Sequence, residues 1–247
     1  MPRFFVTAGA VDSESGIIRI EDDDARHIAR SLRMAVGDSV TVCDGSSREY
    51  MCELTRIRDE ECECRILSSR DAVCESPVDI TLCMAYPKGD KLETVIQKAV
   101  ELGAARIIPF ESSRCIKKPK AEKQDKVTSR LSRIAEEAAK QCGRAKLPTV
   151  TPPMSFAEML RCARESELSL LCYECERERS LKAALREAGE VKSISVIVGA
   201  EGGFSHSEAE EAVAAGCVSI SLGERILRCE TAPSYVLAAV SYEYEMK

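Results

Sequence analysis

Short alternating patterns of apolar and polar residues dominate the first seventy positions of the chain. They predict five strands, at 3–6, 17–20, 39–43, 49–56 and 62–67, with one helix over 24–32 and a turn at 44–47. Strands of this length joined by turns are typical of a small β-barrel. We therefore predict a β-barrel domain over residues 1–72 and a linker over 73–77.

From residue 78 onward, apolar strand patterns alternate with helical ones. The predicted strands lie at 78–86, 106–110, 168–172, 193–198 and 217–222. Helix starts are predicted at Asp90, Ser155 and Ser205, because each precedes a glutamate by three residues. Such alternation predicts an α/β domain over 78–247 with a mostly parallel sheet.

Composition narrows the class of protein. Hydrophobic residues make up 45% and charged residues 31%, as in ordinary globular proteins. The sequence has no apolar run of the roughly 18 residues that a membrane helix needs and no signal peptide, so we expect a cytoplasmic protein without a membrane partner. The 13 cysteines are scattered without metal-ligand spacing. We therefore expect reduced thiols and no metal site.

The net charge of −6 disfavours a nucleic-acid partner, but the charges are unevenly distributed. Residues 114–149 contain eleven basic and four acidic side chains, a local charge of +7. This stretch could attract phosphates, or it could be only a solvated helical face. The sequence leaves both interpretations open.

Two loops carry the candidate chemistry. Residues 196–205, VIVGAEGGFS, form a strand, a glycine-rich turn and a capped helix start, where backbone amides could bind a ligand. Such glycines also occur for steric reasons alone. Residues 221–231, SLGERILRCET, combine charged and apolar side chains as a small-ligand pocket would, or as a helix cap with solvated charges would. The glycine loop comes too late in the chain for a Rossmann-type nucleotide enzyme.

Taken in order, several segments resemble the 16S ribosomal RNA (uracil-N3) methyltransferase family of the SPOUT superfamily. They are PRFF at 2–5, HIARSLRM at 27–34, GD at 37–38, DKLETVIQKAVELG at 90–103, SRC at 113–115, QCGR at 141–144, GAEGG at 199–203 and LGERILRCET at 222–231. The resemblance covers the chain from end to end. It is more specific than any single motif.

The resemblance implies a PUA-like β-barrel followed by a SPOUT-type α/β domain with a deep trefoil knot. It also implies S-adenosylmethionine as cofactor, 16S ribosomal RNA of the small ribosomal subunit as partner, and a homodimer. Matching positions make the expected cofactor contacts Leu171, Cys172, Gly199, Glu201, Gly202, Gly203, Leu222, Gly223, Ile226 and Leu227. The apolar residues Val236, Leu237, Ala239 and Val240 of the last helix also suggest a dimer surface.

RNA contacts are expected from arginines near the amino end and from the basic stretch. The predicted residues are Arg3, Arg26, Arg30, Arg33, Arg114, Lys117, Lys118 and Arg144. For the amino-terminal arginines, ordinary surface charge is the alternative.

The chain departs from the family pattern at several positions. The family usually has proline where this chain has Ala200 and Glu224, an acidic residue at Lys140 and threonine at Cys229. Pro233-Ser234-Tyr235 also replaces smaller or aliphatic residues. Cys229 lacks a hydroxyl, which puts any hydrogen bond assigned to that position in doubt.

The implied reaction needs groups that handle one proton. N3 of uracil is protonated at neutral pH, so a base must accept the proton or a cation must stabilise the anion. Arg225 and Arg228 could stabilise the anion, and Glu201 or Glu230 could accept the proton. Either glutamate could instead be a structural partner of the arginines. Because N3 lies on the pairing edge, the target base must be unpaired or flipped.

One alternative from another functional class stays open at this point. The chain could be an RNA-binding or assembly protein that keeps the fold without catalysis. Binding of labelled S-adenosylmethionine would separate the two.

Overall fold

The computed structural model describes residues 1–46, 48–116 and 124–246. Lys117 and Lys118, two of the predicted RNA contacts, lie outside the described residues. Contacts divide the chain into two units, one formed by Met1–Glu75 with Ala139–Leu147 and the other by Ser76–Ala138 with Pro148–Lys247. The contiguous division into 1–72 and 78–247 did not foresee that Ala139–Leu147 belongs to the first unit.

The first unit is built on a six-stranded, mainly antiparallel sheet. Its strands are β1 (Arg3–Phe5), β2 (Val11–Asp12), β3 (Ile17–Glu21), β4 (Ser39–Cys43), β5 (Arg48–Ile57) and β6 (Glu61–Asp71). The strand order is β1-β4-β5-β6-β3-β2, with β1 and β4 parallel. Alternate residues face the core, as in β3, where Ile18 and Ile20 are buried and Arg19 and Glu21 are exposed.

The helix predicted over 24–32 forms in two parts. A short helix α1 (Asp22–Arg26) continues into a π-helical turn (His27–Ser31), which buries Ile28. A 3-10 turn (Ala8–Ala10) precedes β2. The apolar core of the unit includes Phe4, Val40 and Leu54 of the sheet together with Ala25 and Ile28 of the helical segment.

The segment Ala139–Leu147 is held in the first unit by Glu75. This carboxylate accepts hydrogen bonds from the guanidinium of Arg144 at 2.9 Å and from the backbone N–H groups of Ala145 and Lys146, both at 2.9 Å. Burial opposes ionisation of Glu75, but these donors outweigh it and hold the pKa of the carboxyl below its ordinary value. The segment is thus stabilised by charge-assisted hydrogen bonds.

The second unit alternates strands and helices. Its strands are β7 (Asp79–Ala85), β8 (Arg106–Glu111), β9 (Thr149–Val150), β10 (Met154–Ser155), β11 (Leu168–Cys172), β12 (Ser193–Val198) and β13 (Val218–Ile220). Its helices are α2 (Lys91–Glu101), α3 (Gln124–Cys142, whose last turn belongs to the first unit), α4 (Phe156–Ala163), α5 (Leu181–Ala188), α6 (His206–Ala214) and α7 (Thr231–Tyr244).

The sheet of the second unit is parallel throughout its described ladders. Its order is β10-β8-β7-β12-β11-β13, with β9 pairing with β8. The α/β architecture with a mostly parallel sheet is therefore confirmed. Because β12, β11 and β13 are neighbours and parallel, the loops that follow them meet at one edge of the sheet. The trefoil knot stays a prediction.

Local signals predicted the starts of three helices correctly, but only two of the three expected capping boxes form. Ser155 and Ser205 each form a capping box with the glutamate three residues later. Asp90 makes no side-chain cap. Glu93 instead binds Arg130 at 2.7 Å, so an ion pair replaces the expected capping box.

Two further expectations are corrected by burial and pairing. The last strand is shorter than predicted, because Ser221 exchanges backbone hydrogen bonds with Arg179 and Leu181. On α7, Val236, Leu237 and Val240 are fully buried inside the second unit, so they cannot provide the dimer surface predicted from them. Within the described residues, no helix is long and apolar enough to cross a membrane.

Candidate active site

A cavity of about 420 Å³ lies at the edge where β11, β12 and β13 end. The loops after these strands line it, together with Lys91 of α2 and Ala232 of α7. Of the predicted cofactor residues, Leu171 alone does not line the cavity, since it is fully buried in β11. The four predicted catalytic residues, Arg225, Arg228, Glu201 and Glu230, all line it.

The glycine-rich loop after β12 is anchored by the residues that follow it. Phe204 is 1% exposed and stacks on Phe110 of β8, with ring centroids 6.3 Å apart. Phe156 of α4 completes the cluster, 6.2 Å from Phe204. Ser205 then caps α6. Aromatic packing on one side and a capped helix on the other fix the end of the loop.

The glycines of this loop are required by protein contacts. A Cβ at Gly202 would lie 2.9 Å from Cβ of Arg114, and one at Gly199 would lie 3.1 Å from the backbone of Gly203. Gly203 has a φ of +62°, and a Cβ there would overlap the carboxylate of Glu174. The steric explanation, left open from the sequence, therefore accounts for all three glycines.

The segment after β8 packs against the glycine loop. Nη1 of Arg114 donates to the carbonyl oxygen of Gly202 at 2.9 Å and lies 3.8 Å from the carboxylate of Glu174. The backbone N–H and the hydroxyl of Ser113 donate to Glu208 of α6, at 2.6 and 2.8 Å. Residues 113 and 114 thus connect the loops after β8, β11 and β12.

Glu201 and Glu230 share one cation, the ammonium of Lys91. Its Nζ lies 3.0 Å from Oε1 of Glu201 and 3.3 Å from Oε2 of Glu230. The N–H of Lys88 also donates to Glu201 at 3.1 Å. Neither glutamate pairs with an arginine among the described residues, which argues against the structural pairing considered from the sequence.

These contacts keep both carboxyls in their charged form. Burial opposes the ionisation of Glu201, but hydrogen bonds from its own N–H and from Lys91 and Lys88 bring its pKa below the ordinary value. The pKa of Glu230 is lowered by its own N–H, by the thiol of Cys229 and by Lys91. Both groups are therefore available as proton acceptors at neutral pH.

At Cys229, where the family usually has threonine, a thiol takes the place of the hydroxyl and makes a hydrogen bond. Its Sγ donates to Oε2 of Glu230 at 3.2 Å. Burial and the neighbouring Glu230 raise the pKa of the thiol to about 12, so it stays protonated. The departure from threonine keeps a donor at this position, although a thiol is a weaker one.

The two arginines of the second loop face solvent. Arg225 and Arg228 are exposed, and within the described part of the chain neither guanidinium has a hydrogen-bond or ion-pair partner. Ile226, between them, is 74% exposed. The loop therefore presents two unpaired cations and one large apolar side chain at the cavity, a combination that suits a ligand with charged and apolar parts.

Comparison with known proteins agrees with this geometry. A family model described as an RNA methyltransferase domain matches residues 74–241, and one described as an RNA methyltransferase PUA domain matches residues 20–67. The ribosomal RNA small subunit methyltransferase E of Bacillus subtilis is 32% identical over 252 residues, covering 100% of this chain and 98% of that protein. The chain belongs to the RNA methyltransferase family. The resemblance stated from the sequence is confirmed.

Solved structures extend this result. A ribosomal RNA small subunit methyltransferase E from Neisseria gonorrhoeae, bound to S-adenosyl methionine, matches with a TM-score of 0.86 and 31% identity, covering 99% of this chain and 98% of that one. A methyltransferase from Legionella pneumophila in complex with SAM matches with a TM-score of 0.85 and 29% identity, over 97% and 96% of the two chains. The PUA-like prediction for the amino-terminal sheet is confirmed by the family model and these neighbours.

The predicted RNA contacts of this RNA methyltransferase differ widely in their surroundings. Arg3 is largely buried, 2.8 Å from Glu49, and Arg144 is 4% exposed and bound to Glu75. Both guanidinium groups form ion pairs inside the first unit, so their position does not support a role in RNA binding. Arg114 belongs to the loop network beside the cavity.

The remaining amino-terminal arginines are more accessible. Arg26 and Arg30 are exposed but form ion pairs with Asp23 and Asp59 respectively. Arg33 is exposed, and among the described residues its side chain has no ion-pair partner. Of the predicted RNA contacts that the structure describes, Arg33 is therefore the most available for a phosphate.

Sequence reasoning missed Lys91 of this RNA methyltransferase. It lies within a segment used for recognition, but nothing in its spacing linked it to glutamates 110 and 139 residues away. Within the described ranges, no group of three or more histidine, cysteine, aspartate or glutamate side chains could hold a metal ion.

Proposed function

We propose that this chain transfers a methyl group from S-adenosylmethionine to N3 of a uridine in 16S ribosomal RNA of the small ribosomal subunit. The observation that carries the proposal is the cavity where the loops after β11, β12 and β13 meet. It gathers two arginines that have no partner in the described part of the chain, two ionised carboxylates and several apolar side chains. The relatives named ribosomal RNA small subunit methyltransferase E support the RNA substrate.

The cavity fits the cofactor in size and chemistry. Its volume of about 420 Å³ is in the range of small-molecule sites. Leu222, Ile226 and Leu227 offer apolar contacts for an adenine ring, and the loop of Gly199–Gly203 offers backbone groups at close range. We assign cofactor contacts to the predicted residues that line the cavity, which leaves out Leu171, a buried residue of β11. Bound there, S-adenosylmethionine supplies an electrophilic methyl group.

The residues of the cavity handle the charge and the proton of the target base. Glu201 or Glu230 accepts the proton of N3, and the N3 lone pair then forms the new bond to the methyl carbon as the carbon–sulfur bond breaks. Arg228, assisted by Arg225, stabilises the negative charge that develops on the uracil before the transfer. A guanidinium offers several N–H donors in a fixed planar arrangement, which suits the oxygens of a uracil anion.

The oligomeric state, the location and the chain topology are also proposals. We expect a homodimer, a cytoplasmic location and the knotted SPOUT topology that the resemblance implies. The exposed face of α7 carries Tyr235, Ala238 and Tyr242 at helical spacing, with Tyr242 68% exposed. This stripe replaces the buried residues as the expected dimer surface.

A methylation assay with defined substrates tests the proposal. The purified chain, labelled S-adenosylmethionine and either small ribosomal subunits or free 16S RNA from cells lacking the gene should yield one methylated uridine, located by mass mapping. Calorimetry with S-adenosylhomocysteine should show binding in the presence of a chelator. Cofactor and RNA binding without transfer would instead favour a non-catalytic RNA-binding protein, and the absence of cofactor binding would refute the proposal.

A further inference from the structure

Lys91 connects the two loops that contain the candidate catalytic residues. It is the first residue of α2, and its side chain is 34% exposed. Its Nζ lies 3.0 Å from Glu201, in the glycine loop, and 3.3 Å from Glu230, in the loop before α7. Sγ of Cys229 is 3.9 Å away. One ammonium thus reaches both proposed proton acceptors.

We propose that Lys91 is a positioning residue that acts through Glu201 and Glu230, keeping both carboxylates ionised and oriented at the cavity. This inference rests on the proposed methyl transfer. It adds a function for a residue that the proposed reaction does not itself require. Lys91 exchanges no proton with the substrate in this scheme.

The charge balance of the cluster suits a group that gains one proton. Two carboxylates and one ammonium carry a net charge of −1. When N3–H breaks and an O–H bond forms on one glutamate, the cluster becomes neutral and Lys91 remains paired with the other carboxylate. The negative charge lost by the cluster develops on the uracil, where Arg225 and Arg228 can stabilise it.

The groups that face the two carboxylates come from three elements. They are Lys91 and the backbone N–H of Lys88, at and before the start of α2, the thiol of Cys229 from the loop before α7, and each glutamate's own backbone N–H. Among the described residues, Lys91 is the only cationic side chain within ion-pair distance of either glutamate. Its removal should therefore affect both carboxyls at once, and their pKa values should rise.

Three variants separate this role from a structural one. Lys91→Met removes the charge and keeps most of the length of the side chain, and Lys91→Arg keeps the charge. Lys98→Met is the matched control, since Lys98 is also on α2 and pairs with a glutamate, Glu101 at 2.9 Å, but does not line the cavity. Each would be compared with the wild type in single-turnover methylation at saturating cofactor between pH 4.5 and 8.

Carboxyl titrations provide a readout that does not depend on activity. Carbon-13 NMR of glutamate side chains, with Glu201→Gln and Glu230→Gln for assignment, should show both pKa values raised in Lys91→Met. The acid limb of its rate profile should move to higher pH by about 0.5 to 1 unit, since an ionised neighbour within a few ångströms shifts a carboxyl by this order or more. Lys91→Arg and Lys98→Met should keep the wild-type limb.

The outcomes separate the inference from the function on which it rests. If the wild type methylates RNA but Lys91→Met loses rate equally at every pH, with unchanged carboxyl titrations, Lys91 is merely structural and the inference fails. If the wild type binds cofactor and RNA without methylation, the proposed function fails. In that case a shift in the carboxyl titrations would still support the contact of Lys91 with both glutamates.

Discussion

Replacing Gly202 with alanine tests whether the glycine loop is shaped by the protein or by its ligand. A Cβ at position 202 would lie 2.9 Å from Cβ of Arg114 and 3.3 Å from its carbonyl oxygen. Neither atom is the flexible end of a side chain, so the segment of Arg114 or the glycine loop must move. Ser113, the neighbour of Arg114, is held by two hydrogen bonds to Glu208, which resists such a movement.

The expected loss of cofactor affinity follows from the close contact between a Cβ at position 202 and Arg114. Forcing an extra methyl group into a packed site typically costs about 1 to 3 kcal/mol. If the loop shifts in the free protein and must be restored for binding, affinity for S-adenosylhomocysteine should fall by roughly 5- to 150-fold, since about 1.4 kcal/mol corresponds to tenfold. The φ of Gly202 is not in the left-handed region, so backbone strain adds nothing to this effect.

The loss of affinity caused by Gly202→Ala can be measured by calorimetry on a double-mutant cycle. Arg114→Gly removes the opposing Cβ, so the variant carrying both Gly202→Ala and Arg114→Gly should bind better than the sum of the single effects predicts. If Arg114→Gly restores nothing, the space beside Gly202 belongs to the ligand. Unchanged affinity in Gly202→Ala alone would refute the close contact itself.

Three further predictions concern catalysis, assembly and stability. Arg228→Ala should slow single-turnover methylation by about 100-fold, with RNA and cofactor binding retained and partial rescue at higher pH; a loss of RNA affinity with a normal rate at saturation would make it a binding residue. Combining Tyr235→Glu with Tyr242→Glu should convert a dimer to a monomer in light scattering, and a monomeric wild type at micromolar concentration would refute the dimer. The stabilisation from ionised Glu75 should be present above its ordinary pKa of 4.5 and be lost as pH falls through the lower folded-state pKa. Urea titrations of wild type and Glu75→Gln should therefore converge in that acid range, and a constant difference would contradict this.

The sequence predicted the elements that depend on local pattern. Alternation in β3 and the buried run of β12 depend on neighbouring residues, and the structure has both strands. The capping boxes at Ser155 and Ser205 depend on a spacing of three residues. The helix start at Asp90 also depends on this spacing, but its capping box does not form. Glu93 pairs instead with Arg130, which lies 37 positions after Glu93 in the chain.

The contacts that build the candidate site are long-range, which explains why the sequence alone did not predict them. Lys91 reaches Glu201 across 110 positions, and Arg114 reaches Gly202 across 88. No periodicity links residues at such separations, and they meet only because the sheet brings β8, β11, β12 and β13 into one layer. The family resemblance identified the two loops of the site. The role of Lys91, which pairs with a glutamate of each loop, could be inferred only from the structure.

The basic stretch illustrates why a count of charges does not identify a binding surface. Arg130 pairs with Glu93, and Arg144 is buried against Glu75, so their charges are neutralised within their own units. At the cavity the opposite holds, because Arg225 and Arg228 have no partner among the described residues while the neighbouring carboxylates share Lys91. Pairing the acids with Lys91 leaves the arginines free for a negatively charged substrate. The distribution of partners, rather than the number of charges, separates the proposed proton acceptors from the groups proposed to stabilise the anion.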